Sequence, residues 1–115
     1  MSLVKAKEPE KKEWITYHNR IAALIQQRRL QILVHSYLYY HRNTNIISDQ
    51  KWQEFAQQLV TLQKQHPEVA KQVIYAEAFA DFDASTGFHL PYMDERIMSK
   101  GEHLLRLHQQ EGGLL

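Results

Sequence analysis

Cysteine is missing altogether from the chain. The fold can therefore use neither a disulfide nor a thiolate zinc site, and nucleophilic cysteine chemistry is excluded. Glycine and proline are scarce, four and three in 115 residues, and none lies between Pro9 and His41, so nothing in that stretch breaks a helix. Excess charge is lacking too. Fourteen Lys and Arg stand against thirteen Asp and Glu, and the net charge of +1 gives no general attraction to nucleic acid or to a membrane surface. No apolar run approaches the roughly 18 residues of a membrane span, and no charged-then-apolar leader is visible. The expectation is a cytoplasmic protein, with no membrane contact. A chain this short matches one domain, burying roughly two thirds of its unfolded surface. Its 43% hydrophobic content is ordinary for a globular protein.

What is present is helical periodicity. Ile21, Leu24, Ile25, Ile32, Leu33, Tyr37 and Tyr40 recur at spacings of three, four and seven, predicting one long helix from about Pro9 to His41. Its second half, "LQILVHSYLYY", is apolar nearly all round, which implies burial on more than one side. Arg42-Asn-Thr-Asn45 breaks the pattern, because Asn and Thr side chains compete for backbone hydrogen bonds. A second helix is predicted over 49–65, with Ser48 as its cap and Trp52, Phe55, Leu59 and Leu62 on one stripe. Pro67 ends it at His66, whose charge suits a helix C-terminus. The result is an antiparallel hairpin.

A third helix is predicted from Pro67 to about Ala80, with Val69, Val73, Ala76 and Ala80 on one face. "DFDASTGFHLPY" reads as an irregular loop that Phe82, Phe88 and Leu90 pin to the core. Residues 92 to 110 form the expected fourth helix, with Met93, Ile97, Leu104 and His108 on one side, weakened by Gly101 at a cost of about 1 kcal/mol. The fold class is thus all-α: a helical hairpin with two further helices packed across it. Residues 1–8 are expected to be disordered or a tag remnant, 9–110 to form the single domain, and 111–115 to be a loose tail.

The chemistry is sparser. Among seven histidines, His35 and His41 are six apart and His103 and His108 five apart, so neither pair shares a helix face as an i,i+4 zinc pair does; no metal site is expected. Asp81 and Asp83 are loop neighbours without a shared cleft that could separate their pKa values. The Ser85-Thr-Gly87 loop has one glycine where a phosphate loop needs several and a lysine, and reads as a turn. Lys5, Lys7, Lys11, Lys12, Arg20, Arg28 and Arg29 make the first thirty residues basic. They read as a solvated helical face, with a phosphate-contacting surface as the alternative. One constellation is left. Tyr37, Tyr39 and Tyr40 end the first helix opposite Asp49, Trp52 and Gln53 at the start of the second, and Tyr39 or Tyr40 with Trp52 as aromatic walls beside the Asp49 carboxylate suit a flat cationic ring. Alternatively, Ser48 and Asp49 simply cap the helix while the aromatic side chains close the hairpin end.

At these residues the sequence resembles a known family. "HSYLYYHRNTNIISDQKWQEFAQQLVTLQKQHPEV", about 35–69, follows the amino-terminal Ia subdomain of bacterial NAD-dependent DNA ligases. The shared pattern is paired aromatics, a short turn, Ile-Pro/Ser-Asp-x-x-Tyr-Asp, a Leu-spaced helix and His-Pro-Glu. In those ligases the subdomain is a helical clamp on the nicotinamide mononucleotide half of NAD. The resemblance puts Tyr39 and Tyr40 on the aromatic pair, Asp49 on the ligase aspartate and Trp52 on the tyrosine that stacks on nicotinamide. Gln53 departs from a second aspartate, and Asn43 and Asn45 from the usual Asp and Pro of the turn. The Lys-x-Asp-Gly setting of the ligase nucleophile is absent, so the resemblance implies no catalysis of its own and no required cofactor, with nicotinamide mononucleotide or NAD as a possible ligand. Beyond Val69 the ligase pattern is not followed, and the chain looks like small stand-alone ligase-related proteins of phages and prophages. The expected function is a non-catalytic module for a protein partner or for self-association. The alternatives are a weak nicotinamide mononucleotide/NAD-binding module, or an accessory factor in phage DNA replication or repair that contacts nucleic acid through the basic first helix.

Overall fold

The computed structural model describes the backbone of residues 11–114 and the side chains of residues 18–111; the predicted disordered segment 1–8 lies outside the described residues. Within them every regular element is a helix: α1 (Lys11–Tyr40), α2 (Asp49–Gln65), α3 (Pro67–Ala70) and α4 (Glu95–Leu114). The predicted hairpin forms from α1 and α2, and α4 packs on α1 from another side. Ile25, Ile32, Leu33 and Leu38 of α1 are fully buried, and α2 answers them with Ala56 and Leu59. The all-round apolar half of α1 is thus interior because it has neighbours on two sides.

Local chemistry explains the hairpin turn. The His41 and Arg42 N–H groups both bond the Tyr37 carbonyl at 2.9 and 3.2 Å, and Asn43 takes a positive φ of 51°, a conformation asparagine tolerates better than most residues. Ser48 then caps α2, its Oγ accepting the Lys51 N–H at 3.0 Å.

Two expectations need correction around Arg29. The third helix was predicted to reach Ala80, but it ends at Ala70 and turns follow to Asp81. The carbonyls that would continue it are taken by Arg29, whose guanidinium donates to the oxygens of Ala70 (3.0 Å), Val73 (3.0 Å) and Ile74 (3.1 Å). Arg29 was read as part of a solvated basic face, yet it is 1% exposed, clamped by Gln63 Oε1 at 2.7 Å and set over the Phe79 ring. Burial lowers its pKa. Arg28 is half-buried, bonded to Gln58 and Gln31 and placed over Phe55.

Smaller differences follow from packing. Phe82 packs edge-on against buried Phe79, but Phe88 stays 57% exposed and does not pin the loop to the core. Helix α4 starts at Glu95, after Asp94 Oδ1 has accepted the Arg96 N–H at 2.8 Å, and runs through the Gly112-Gly113 pair to Leu114, past the expected end at 110. Its buried stripe is Ile97, Gly101 and Leu105, while Met93 and His108 are exposed. Gly101 marks a close approach: a Cβ there would lie 2.5 Å from the Tyr37 ring. Tyr37 cannot swing away, because its hydroxyl donates to Glu102 Oε2 at 2.6 Å and Arg42 holds the same carboxylate at 2.9 Å.

Two substitutions test this account. Arg29→Met removes the donors of at least three carbonyls and is expected to destabilise the fold by about 3 kcal/mol or more in urea unfolding, with Arg29→Lys recovering only part; a loss below about 1 kcal/mol would refute the role given to Arg29. Gly101→Ala should destabilise by about 1–3 kcal/mol despite its better helix propensity, and a thermal midpoint at or above that of the parent would show that Tyr37 yields freely.

Candidate functional site

The hairpin reversal places the last turn of α1 against the first turn of α2. A cavity of about 330 Å³ opens there, near the lower end of the roughly 300–1,000 Å³ usual for small-molecule sites. Tyr39, Tyr40, Asp49, Trp52 and Gln53 of the sequence constellation line it, while Tyr37 is buried against α4 with its hydroxyl on Glu102. They come from opposite strokes of the hairpin, so only the turn brings them together.

The two tyrosines differ in freedom. Tyr40 is fixed: it stacks on Tyr92 at 5.6 Å, meets Phe88 edge-on at 5.3 Å, and its hydroxyl shares a hydrogen bond with Thr86 Oγ1 at 3.0 Å. Tyr39 lies edge-on to Tyr40 and is 51% exposed, so it is the more adjustable wall. Trp52 is half-buried on the opposite helix. Asp49 is exposed in the first turn of α2, where a carboxylate complements the helix dipole.

Gln53 has a defined task. Its Nε2 donates to the Ala84 carbonyl at 3.3 Å, tying down a loop from the far half of the chain. An aspartate in its place could not donate. The loop is itself made of turns: Asp83 Oδ1 accepts the Ser85 N–H at 2.9 Å, Thr86 Oγ1 accepts the Phe88 N–H at 3.1 Å, and Ala84 has a φ of 70°. The hydrogen bonds from Ser85 hold the Asp83 carboxyl below its ordinary pKa. Asp81 and Asp83 do not line the cavity, but Ser85 and Thr86 do. Gly87 follows them and packs on Ser36 and Trp52, where an added Cβ would collide with Ser36 Oγ and meet Trp52 Cζ2 at 3.4 Å.

Residues missed in the sequence reading complete the site. His35 and Ser36 line the cavity one helical turn before Tyr39 and Tyr40, and that i,i+4 spacing was the available signal. Ser85 and Thr86 had no comparable signal, since their approach depends on the path of the loop. Ser36 Oγ and His35 Nδ1 are buried without a hydrogen-bond partner. Burial lowers the His35 pKa from the ordinary 6.5. Among the described residues no cluster of three or more His, Asp or Glu is placed to hold a metal ion, and no helix is long and apolar enough to cross a membrane.

The fold and site define a class: a small helical hairpin with an aromatic-walled, acid-edged pocket at its turn. Residues 18–72, just under half of the chain, match the family model described as "DNA ligase-like, N-terminal NAD+-binding domain". The resemblance to the Ia subdomain of NAD-dependent DNA ligases is therefore shown for that segment. No curated protein and no solved structure matches the chain.

The buried imidazole gives this end of the hairpin a pH dependence. As pH falls through 6.5 the unfolded chain takes up the His35 proton more readily than the folded one, so this contribution is complete above that value and is lost below it. The thermal midpoint should drop between about pH 7.5 and about pH 5, and His35→Gln should flatten part of that slope. An unchanged slope in the variant would mean that His35 is not desolvated.

Proposed function

We propose that the chain binds the nicotinamide end of nicotinamide mononucleotide or NAD and catalyses no reaction of its own. The observation that carries this reading is the convergence of Tyr39, Tyr40, Trp52 and Asp49 on one cavity, inside the segment that matches a family described as NAD+-binding. A flat cationic ring entering between the phenol and indole faces gains from their quadrupoles, and the carboxylate balances its charge. Replacement of a second acidic residue by Gln53, committed to Ala84, leaves one formal charge where the ligase pattern has two, so binding is expected to be weak.

The interaction reading draws less support. The basic first helix, the surface on offer for a protein partner as for nucleic acid, is interrupted at Arg28 and Arg29, one held by glutamines and the other interior. A protein partner or a second copy would need a different surface.

Titration with nicotinamide mononucleotide, followed by Trp52 fluorescence in a Trp14→Phe background, tests the proposal. A saturable change at about millimolar ligand is expected, weakened about tenfold by Asp49→Ala. A parent chain that gives no change with mononucleotide or NAD retires it.

A further inference from the structure

We propose that the pocket recognises an N-substituted pyridinium carboxamide, of which nicotinamide riboside is a simple case, by its ring charge and its amide, and leaves any phosphate outside. This rests on the reading above that the cavity holds a nicotinamide ring, and adds which parts of the molecule are recognised.

The first argument is charge. Among the described residues no lysine or arginine lines the cavity, and Asp49 is its one carboxylate. The cations beside the lining residues in sequence are committed elsewhere: Arg42 to Glu102 at 2.9 Å, and Lys51 to Glu54 at 3.1 Å while lying over Phe55. The positive end of α2, the other natural anion site, is answered by the Ser48 hydroxyl on the Lys51 N–H and by Asp49 itself. A phosphate inside the cavity would meet a carboxylate and no cation. A positively charged ring meets that carboxylate and three aromatic side chains.

The second argument is the pair of unpartnered atoms. Ser36 is 1% exposed with its Oγ unbonded, and the adjacent His35 Nδ1 is likewise buried and unbonded, both residues lining the cavity. Folded proteins rarely leave such atoms unpaired. The hydroxyl can donate, and a neutral imidazole accepts at Nδ1 when its proton sits on Nε2. A carboxamide offers the complement of that pair, a carbonyl acceptor and N–H donors held in one plane. A carboxylate offers acceptors alone, with a negative charge that nothing here balances. Gly87 backs directly onto Ser36 Oγ, and the two ties of its loop, Gln53 to Ala84 and Tyr40 to Thr86, are made by pocket residues. Ser36 thus lies between the cavity and this tied loop, where the amide of an entering ring would meet it.

Calorimetric titration of the full chain with nicotinamide riboside, nicotinamide mononucleotide and nicotinic acid riboside tests this. The riboside should bind at least as tightly as the mononucleotide, and the acid at least tenfold more weakly. Ser36→Ala should weaken binding of both amides about tenfold and leave the thermal midpoint unchanged or raised, because it removes a hydroxyl without a partner. Ser36→Cys, which keeps the size and weakens the hydrogen bond, substitutes if the alanine variant does not fold. A mononucleotide tenfold tighter than the riboside, or amide-over-acid discrimination untouched by either variant, overturns the inference while leaving the nicotinamide reading in place. No binding by any of the three overturns both.

Discussion

The guanidinium of Arg29 is the contact on which the remaining architecture hangs. It sits inside the molecule with no carboxylate paired to it among the described residues and is satisfied by the side chain of Gln63 on α2 and by the carbonyls of Ala70, Val73 and Ile74. A buried charge is tolerable only when its donors are met, and here they are met by a side chain of α2 and by three carbonyls of the 70–74 stretch. The same bonds tie α1 to α2, stop α3 after one turn and send the chain back over Phe79 towards the hairpin end. Without that redirection the 83–88 loop has no reason to lie against Tyr40 and Gln53.

The site depends on this indirectly. Its two helical walls belong to the hairpin alone, but its third side is the loop that Arg29 helps to route. That loop is then held by pocket residues, Gln53 through Ala84 and Tyr40 through Thr86. Structure and recognition are coupled at Gln53, a position where the ligase pattern has an aspartate and this chain has a donor for a backbone carbonyl. The exchange removes a charge from the pocket and adds a tether to its wall. Among the described lining residues it leaves Asp49 as the one carboxylate.

Sequence periodicity carried much of the fold because α1 and α2 are amphipathic over many turns, and Ser48 and Pro67 mark the ends of α2 by local rules. The same reasoning placed Tyr39, Tyr40, Asp49, Trp52 and Gln53 about one cavity, since a short turn between antiparallel helices leaves little choice about which ends meet. It failed where a residue's partners are distant. Arg29 looks like any surface arginine in a helix, and Gly101 like a simple weakness, until Gln63 and Tyr37 are seen against them. Phe88 looked like an anchor because hydrophobicity alone does not say which face of a loop finds a neighbour.

The amino-acid order by itself determined the all-helical class, the hairpin and the aromatic residues at its end, because each follows from contacts within a few residues or across one turn. Only the tertiary structure decided that α3 would stop at Ala70, that Gly87 would press on Ser36, and that Ser85 and Thr86 would close the cavity. Those outcomes join segments some thirty to fifty residues apart, and no local propensity encodes which backbone carbonyl a distant donor will reach.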